Sequence, residues 1–248
     1  MAFFDTFYKE QPTAFGHRLQ SQKAKEVLRR LLCKHKRINR LLEIGPGWGE
    51  LADLCVQKAV VYVAVEANTT RAVDLRHRGF APIVSRVPPI PAKDKSFDAV
   101  VAMNVLEHMP DCLTATRFLG EMVRVAQNEG LICVNCPDIM AAGKLFWDAD
   151  YTHNYPVSMR RLIQMFSDHG LRIIDATFFS GPVSGAFATP LSAMARLFPA
   201  SLISVLTAPL VARERILRTR LTFIRNVFVI GCRYPERTAL GQGKNTLA

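Results

Sequence analysis

The segment Leu41-Leu42-Glu43-Ile44-Gly45-Pro46-Gly47-Trp48-Gly49-Glu50-Leu51-Ala52 constrains this chain more than any other. A short apolar run ends in an acid, passes through three glycines at alternate positions and re-emerges as a helix. Glycine tolerates positive φ and has no Cβ to keep a ligand off the backbone. The helix that follows aims its unpaired amides at whatever sits in the turn. The sequence therefore predicts a buried strand, a sharp turn and a helix start: a nucleotide-type site inside an α/β fold.

Two cofactor classes use such a turn. The dinucleotide fingerprint is G-x-G-x-x-G, with an acid about 20 residues further on for a ribose hydroxyl. Here the spacing is G-x-G-x-G, one residue shorter, and Glu43 precedes the first glycine. A second apolar run, Val60-Val61-Tyr62-Val63-Ala64-Val65-Glu66, reads as a parallel strand with Glu66 at its carboxyl end. A carboxylate there can accept from both ribose hydroxyls; the plainer alternative is a solvated strand-end charge. A third strand, Phe97-Asp98-Ala99-Val100-Val101-Ala102-Met103, runs into Asn104-Val105-Leu106-Glu107-His108-Met109.

With these segments in order, the chain resembles the class I S-adenosylmethionine-dependent methyltransferases, in the small-molecule branch whose first motif is E-x-G-x-G-x-G. The likeness runs from about Leu41 to Gly181. It takes in Asn128–Pro137, similar to the family's fifth strand, and Ser158–Leu171, similar to the helix before its sixth. The resemblance implies S-adenosyl-L-methionine as cofactor. Glu43, Gly45, Gly47 and Gly49 would surround its methionine portion, Glu66 its ribose, and Asn104 would lie near the methionine moiety. Trp48 either walls the pocket or packs under the helix. Relatives often carry an acid for the adenine amino group where this chain reads Ile83-Val84-Ser85-Arg86-Val87. Ser85 is a weaker acceptor, and backbone groups near Arg86 and Val87 are the alternative.

Methyl transfer from a sulfonium requires donor and acceptor held in line, and a base if the acceptor is a hydroxyl. His153, in the polar-aromatic loop Asp150–Pro156, and His108, closing the Leu-Glu-His segment, are the catalytic candidates. An imidazole of ordinary pKa near ~6.5 suits that task. The alternatives are a loop-stabilising hydrogen bond and a helix-start histidine. In quinone-precursor O-methyltransferases the matching segment is E-x-x-E-H and goes with a divalent metal. Asn104 replaces the first acid here, so no metal is expected. Tyr8 and His17 are candidates to cover the cofactor.

At 248 residues one domain is the default. The expected architecture is a doubly wound, mostly parallel seven-stranded sheet of Rossmann-like type. A cap segment spans 1–37, the cofactor-binding core 38–180, a helical insertion 181–222, the last strand 223–235 and a tail 236–248. Strands are predicted at about 39–44, 60–66, 82–85, 97–103, 129–135, 171–179 and 224–233. Helices are predicted at about 18–36, 49–58, 69–78, 112–127 and 157–169. The start of the chain lacks the pattern of a signal peptide, and a cytoplasmic setting would keep the six cysteines reduced. Cys133-x-x-Cys136 has no second pair to complete a zinc site.

The net charge of +11 allows nucleic acid, an anionic membrane or a phosphorylated substrate as partner. One basic cluster, Lys23 to Arg40, reads as the solvated side of an amphipathic helix. A second follows an apolar run within 197–225: Arg213, Arg215, Arg218, Arg220 and Arg225. That run falls short of the ~20 residues that span a bilayer. It caps the substrate pocket and packs on the sheet edge, makes a peripheral membrane contact at the inner face, or forms a partner or dimer contact. The leading functional expectation is methyl transfer to oxygen of a small-molecule or lipid-/glycan-linked acceptor. An RNA methyltransferase lacks support from any amino-methylating tetrad or appended RNA-binding module, and a non-catalytic protein that binds the cofactor or a partner is the third reading.

Overall fold

The computed structural model describes residues 13–35, 37–197 and 219–234. Its centre is one sheet of eight strands: β1 (Arg40–Ile44), β2 (Val61–Glu66), β3 (Ile83–Val84), β4 (Phe97–Met103), β5 (Ala126–Pro137), β6 (Leu171–Ser180), β7 (Val183–Ser184) and β8 (Asn226–Arg233). Their spatial order is β3-β2-β1-β4-β5-β8-β6-β7. The first five strands pair in parallel, and β8 lies antiparallel between β5 and β6. Strand order reverses between β1 and β4, and in open sheets of this kind ligands sit outside the carboxyl ends at that reversal.

Both faces of the sheet are covered, which explains why its strands read as continuous apolar runs. Along β4, Val100 and Ala102 join one core with Phe118, Met122 and Phe166, while Ala99 and Val101 join the other with Val27 and Leu31. The second core is closed by α1 (Ala14–Lys34), whose Ala24, Val27, Leu28 and Leu31 recur at helical spacing. Side chains begin the other helices: Asn68 caps α3 (Thr69–His77), Asp111 caps α4 (Cys112–Val125) and Ser158 caps α7 (Met159–Asp168). The helix after the glycine turn, α2 (Glu50–Gln57), starts from Gly49 in a left-handed conformation instead. Cys133 and Cys136 fall three apart on β5 and enter opposite cores, so they cannot share an ion.

The sheet departs from expectation in three places. It has eight strands rather than seven, because Val183–Ser184 folds back on the end of β6. Strand β5 starts at Ala126 rather than near 129, with Glu129 at φ +62° and a shifted register beside Phe97. Its polar Gln127-Asn128-Glu129 entry carries no alternation to read. Short helices α5 (Ile139–Ala142) and α6 (Leu145–Ala149) depart from expectation, being too brief to show a period, while α8 (Ala188–Leu197) falls within the expected helical insertion.

The N-terminal helix is more than a solvated basic face. Arg30 reaches Asp175 on β6 at 2.7 Å and the Ser184 hydroxyl on β7 at 3.0 Å, tying α1 across the sheet edge. At the insertion, Arg225 donates to the buried Asp138 at 2.5 and 2.9 Å, and Arg220 donates to the Ala195 and Arg196 carbonyls at the end of α8. These two arginines are therefore committed to protein groups. Arg213, Arg215, Arg218 and most of the apolar run lie outside the described residues, as does Tyr8. No helix among the described residues is long and apolar enough to cross a membrane.

Strand β8 is wedged against α7 at Gly231, where an added Cβ would stand 2.6 Å from the Phe166 ring. Overfilling a packed core of this kind costs about 1–3 kcal/mol. Gly231→Ala is expected to lower unfolding free energy by that amount in chemical denaturation. An unchanged midpoint would mean the strand and helix have room to spare.

Candidate functional site

A cavity of about 1220 Å³ opens at the carboxyl ends of β1, β2 and β4, where the strand order reverses. It exceeds the ~300–1,000 Å³ of a typical small-molecule pocket, leaving room for two ligands side by side. Glu43, Gly45, Gly47, Glu66, Asn104, His108 and His153 all line it. Gly49 does not. It stands behind the turn, where an added Cβ would meet Leu75 at 2.7 Å and the Arg78 guanidinium at 2.8 Å. Its role is to let α2 and α3 approach.

The turn itself is built for close approach. The Gly45 amide donates to the Val65 carbonyl at 2.9 Å, and at φ +66° a Cβ there would strike Val105 at 2.7 Å. Gly47, at φ +56°, faces open space where a Cβ would meet nothing within 4 Å. Trp48 lines the cavity with the Arg71 guanidinium 3.2 Å from its ring centroid and the His17 ring edge-on at 5.7 Å. Arg78 donates to the Trp48 carbonyl and braces the turn from behind. His17 leans on Trp48 and on Glu50, 3.5 Å away, from outside this cavity.

Three buried carboxyls mark the strand ends. Glu43 accepts from the Tyr62 hydroxyl at 2.6 Å, and burial raises it to about 8. Glu66 accepts from the Asn68 amide at 2.7 Å through Oε1. Its Oε2 is buried with no hydrogen-bond partner among the described residues, and burial raises its pKa as well. Glu107 is wholly buried; Asn104 donates to Oε1 at 3.1 Å, Oε2 has no such partner, and burial lifts the carboxyl to about 7. Asn104 sits at φ +57°, held by its amide on the Asn135 carbonyl at 2.7 Å. Ser85, Arg86 and Val87 also reach the cavity, and the Ser85 hydroxyl donates to the Arg86 carbonyl at 3.0 Å.

The two histidines come from distant segments and meet. Their ring centroids are 4.9 Å apart. His153 Nδ1 lies 2.7 Å from the Phe146 carbonyl, which can only accept. His108 Nδ1 lies 2.8 Å from the Thr152 hydroxyl, whose own proton goes to Asp150 at 2.6 Å. Both rings therefore carry their proton on Nδ1 and a lone pair on Nε2. Burial and the neighbouring His153 hold His108 down to about 4.

One residue changes meaning outright. Lys23, expected on the solvated side of α1, lines the cavity and donates to the Asn104 side chain at 3.4 Å. Burial lowers it to about 8 while the nearby Glu107 pulls the other way. Its position three residues before Glu26 and one before Ala24 marks it as flanking the buried stripe, but a basic run hides which member turns inward. Tyr62, the partner of Glu43, is likewise legible only through the register that sets Leu41 opposite it.

The profile of a family described as a methyltransferase domain matches residues 15–176. A probable S-adenosylmethionine-dependent methyltransferase of Mycobacterium tuberculosis is 33% identical over 100 residues, covering 40% of this chain and 35% of that protein. The chain thus spans about a third of the length of that curated relative. Among solved structures, a SAM-dependent methyltransferase from Archaeoglobus fulgidus is similar with a TM-score of 0.61 at 21% identity, over 88% of this chain and 98% of that one. The phosphoethanolamine N-methyltransferase 2 of Haemonchus contortus, in complex with phosphomonomethylethanolamine and S-adenosylhomocysteine, is similar with a TM-score of 0.60 at 15% identity, over 86% of this chain and 52% of that one.

A raised carboxyl makes stability depend on pH. Glu43 titrates near 8 when folded but near ~4.3 in an unfolded chain. Between those values the folded state holds the extra proton, so stability falls as pH rises. His108 acts in the opposite sense only below 6.5, and Lys23 only above about 8. The thermal midpoint of the ligand-free protein is expected to decline from pH 6.5 to 8, and that of Glu43→Gln to decline less. Equal slopes would mean Glu43 is ionised in the fold.

Proposed function

Since the chain belongs to the S-adenosylmethionine-dependent methyltransferases, whose domain profile it matches over residues 15–176, we propose that it moves the cofactor's methyl group to an oxygen of a small-molecule or lipid- or glycan-linked acceptor. Bound in the cavity, the cofactor supplies a methyl group already activated on a sulfonium. The residues present fit it. Glu66 Oε2 lacks the donor that a ribose hydroxyl would provide. The open space at Gly47 admits a ligand against bare backbone. The Lys23 ammonium, beside Asn104 and in the field of Glu107, offers a charge for the carboxylate of the methionine end. Glu43 works from behind: protonated and bonded to Tyr62, it backs the turn without adding a charge.

The oxygen assignment rests on one observation, the paired imidazoles with Nε2 lone pairs fixed by Phe146 on one side and by Thr152 and Asp150 on the other. A hydroxyl is a poor nucleophile until its proton has somewhere to go. His153, its Nδ1 proton committed to the Phe146 carbonyl, is the base; His108, half-buried like His153 and kept neutral by burial and by that neighbour, lines the same wall. The surplus volume supports a sizeable acceptor. Leu145, Phe146, Leu221 and Ile224 carry the cavity wall to the far end of the insertion, which favours an acceptor with an apolar part. A membrane-borne substrate would fit that wall; of the arginines that could meet lipid phosphate, Arg220 and Arg225 are committed to protein groups and Arg213, Arg215 and Arg218 lie outside the described residues.

Losing a hydrogen bond to a charged group costs about 1.5–3 kcal/mol, or roughly 10- to 150-fold in affinity. Glu66→Ala is expected to weaken S-adenosylhomocysteine binding by that factor in calorimetry. Lys23→Met should weaken S-adenosylhomocysteine similarly while leaving methylthioadenosine, which lacks the carboxylate, unaffected. If Glu66→Ala binds as tightly as the parent protein, the ribose assignment is wrong. His153→Ala should retain S-adenosylhomocysteine but slow transfer of labelled methyl to hydroxyl acceptors by about 100-fold or more; full activity would end its candidacy as base.

A further inference from the structure

We infer that Glu107, His108 and His153 form a binding site for a divalent first-row transition-metal ion, assembled where the acceptor oxygen is expected. One oxygen from Glu107 and one nitrogen from each ring lie within 4.8 Å of one another. Ligands about 2.0–2.1 Å from a tetrahedral ion stand roughly 3.3 Å apart, so the cluster has to contract by about 1.5 Å at its widest. Both histidines are half-buried at the cavity wall, so small side-chain rotations supply that closure.

Three further features are those of a metal site rather than a chance meeting. Each imidazole is oriented through Nδ1, by the Phe146 carbonyl for His153 and by the Thr152 hydroxyl, itself bonded to Asp150, for His108. Metal-ligating histidines are commonly held in this way by a carbonyl or carboxylate on the far nitrogen. Glu107 is wholly buried, and its Oε2 has no hydrogen-bond partner among the described residues. The backbone is fixed as well: the Glu107 carbonyl accepts the Asn154 and Tyr155 amides at 2.9 and 3.0 Å, which locks the histidine loop to the segment after β4. Sequence alone argued against a metal, because Asn104 stands where an acid would complete the segment's own set. The fold brings His153 from another loop to make the third ligand.

Two imidazoles and one carboxylate select zinc, cobalt, iron or nickel over magnesium and calcium, which prefer all-oxygen sites. Three protein ligands leave a position open. In the metal-free protein His153 takes the acceptor proton. A bound ion would be held by Glu107, His108 and His153 and would supply Lewis-acid chemistry that makes an acceptor hydroxyl more acidic. The inference therefore deepens the proposed oxygen transfer and depends on it for the acceptor's place.

The test is a titration of metal-free protein with Co²⁺ followed by visible absorption, and with Zn²⁺ by calorimetry, the exposed Cys33 and Cys112 being replaced by serine. One ion per chain is expected, displaced by Zn²⁺ and unaffected by excess Mg²⁺. His153→Ala and Glu107→Gln should each weaken it on the order of 100-fold. His153→Ala should still bind S-adenosylhomocysteine, and Glu66→Ala should lose that ligand but keep the metal. Absence of Co²⁺ binding, or binding unchanged in both ligand variants, overturns the metal site. Metal binding without any affinity for S-adenosylhomocysteine overturns the methyl-transfer reading instead.

Discussion

Burying carboxyl groups at the ends of apolar strands is the demand around which this molecule is organised. Glu43, Glu66 and Glu107 all lie at the rim of a sheet whose two faces are sealed by hydrocarbon, and all three have raised pKa values because water has been removed from them. An isolated buried carboxylate would cost several kcal/mol. The chain meets that cost in three different ways. Glu43 keeps its proton and a tyrosine hydroxyl, Glu66 takes a backbone amide at the start of α3, and Glu107 takes the Asn104 amide and lies in the field of Lys23. In two of the three an oxygen has no hydrogen-bond partner among the described residues, and both of those glutamates line the cavity.

The strand-turn-helix units were readable because both signals involved are local. A parallel strand covered on each face is a continuous apolar run, and a glycine turn needs its glycines in sequence. Hence β1, β2 and β4 and the helices after them fall within a residue or two of expectation. Local signals were silent elsewhere. The bulged entry to β5 and the fold-back at β7 depend on pairing partners, and α5 and α6 are too short for a period. The residues proposed for the cofactor side lie in consecutive stretches and were readable from the order of motifs.

The acceptor side was legible only in pieces. His108 and His153 could each be singled out, yet nothing in their spacing says that their rings meet at 4.9 Å. That contact depends on the Glu107 carbonyl gathering the Asn154 and Tyr155 amides, a long-range backbone bond with no sequence signature. Lys23 was hidden for a different reason. A run of basic residues on a helix does not reveal which one the neighbouring strand ends will draw inward. Gly49 carried the opposite ambiguity: the pattern grouped it with its ligand-facing neighbours, whereas its missing Cβ serves the packing of two helices.

The chain leaves the sheet after β7 at one edge and must return to an interior slot between β5 and β6, so both ends of the intervening stretch are anchored, by Arg225 on Asp138 and by Arg220 on the end of α8. The residues proposed to grip the nucleoside all precede residue 110, whereas Thr219, Leu221, Thr222 and Ile224, among the described residues of this later stretch, line the cavity wall. A change of length or sequence there would therefore reshape the wall beside the proposed acceptor while leaving the proposed donor-binding residues in place.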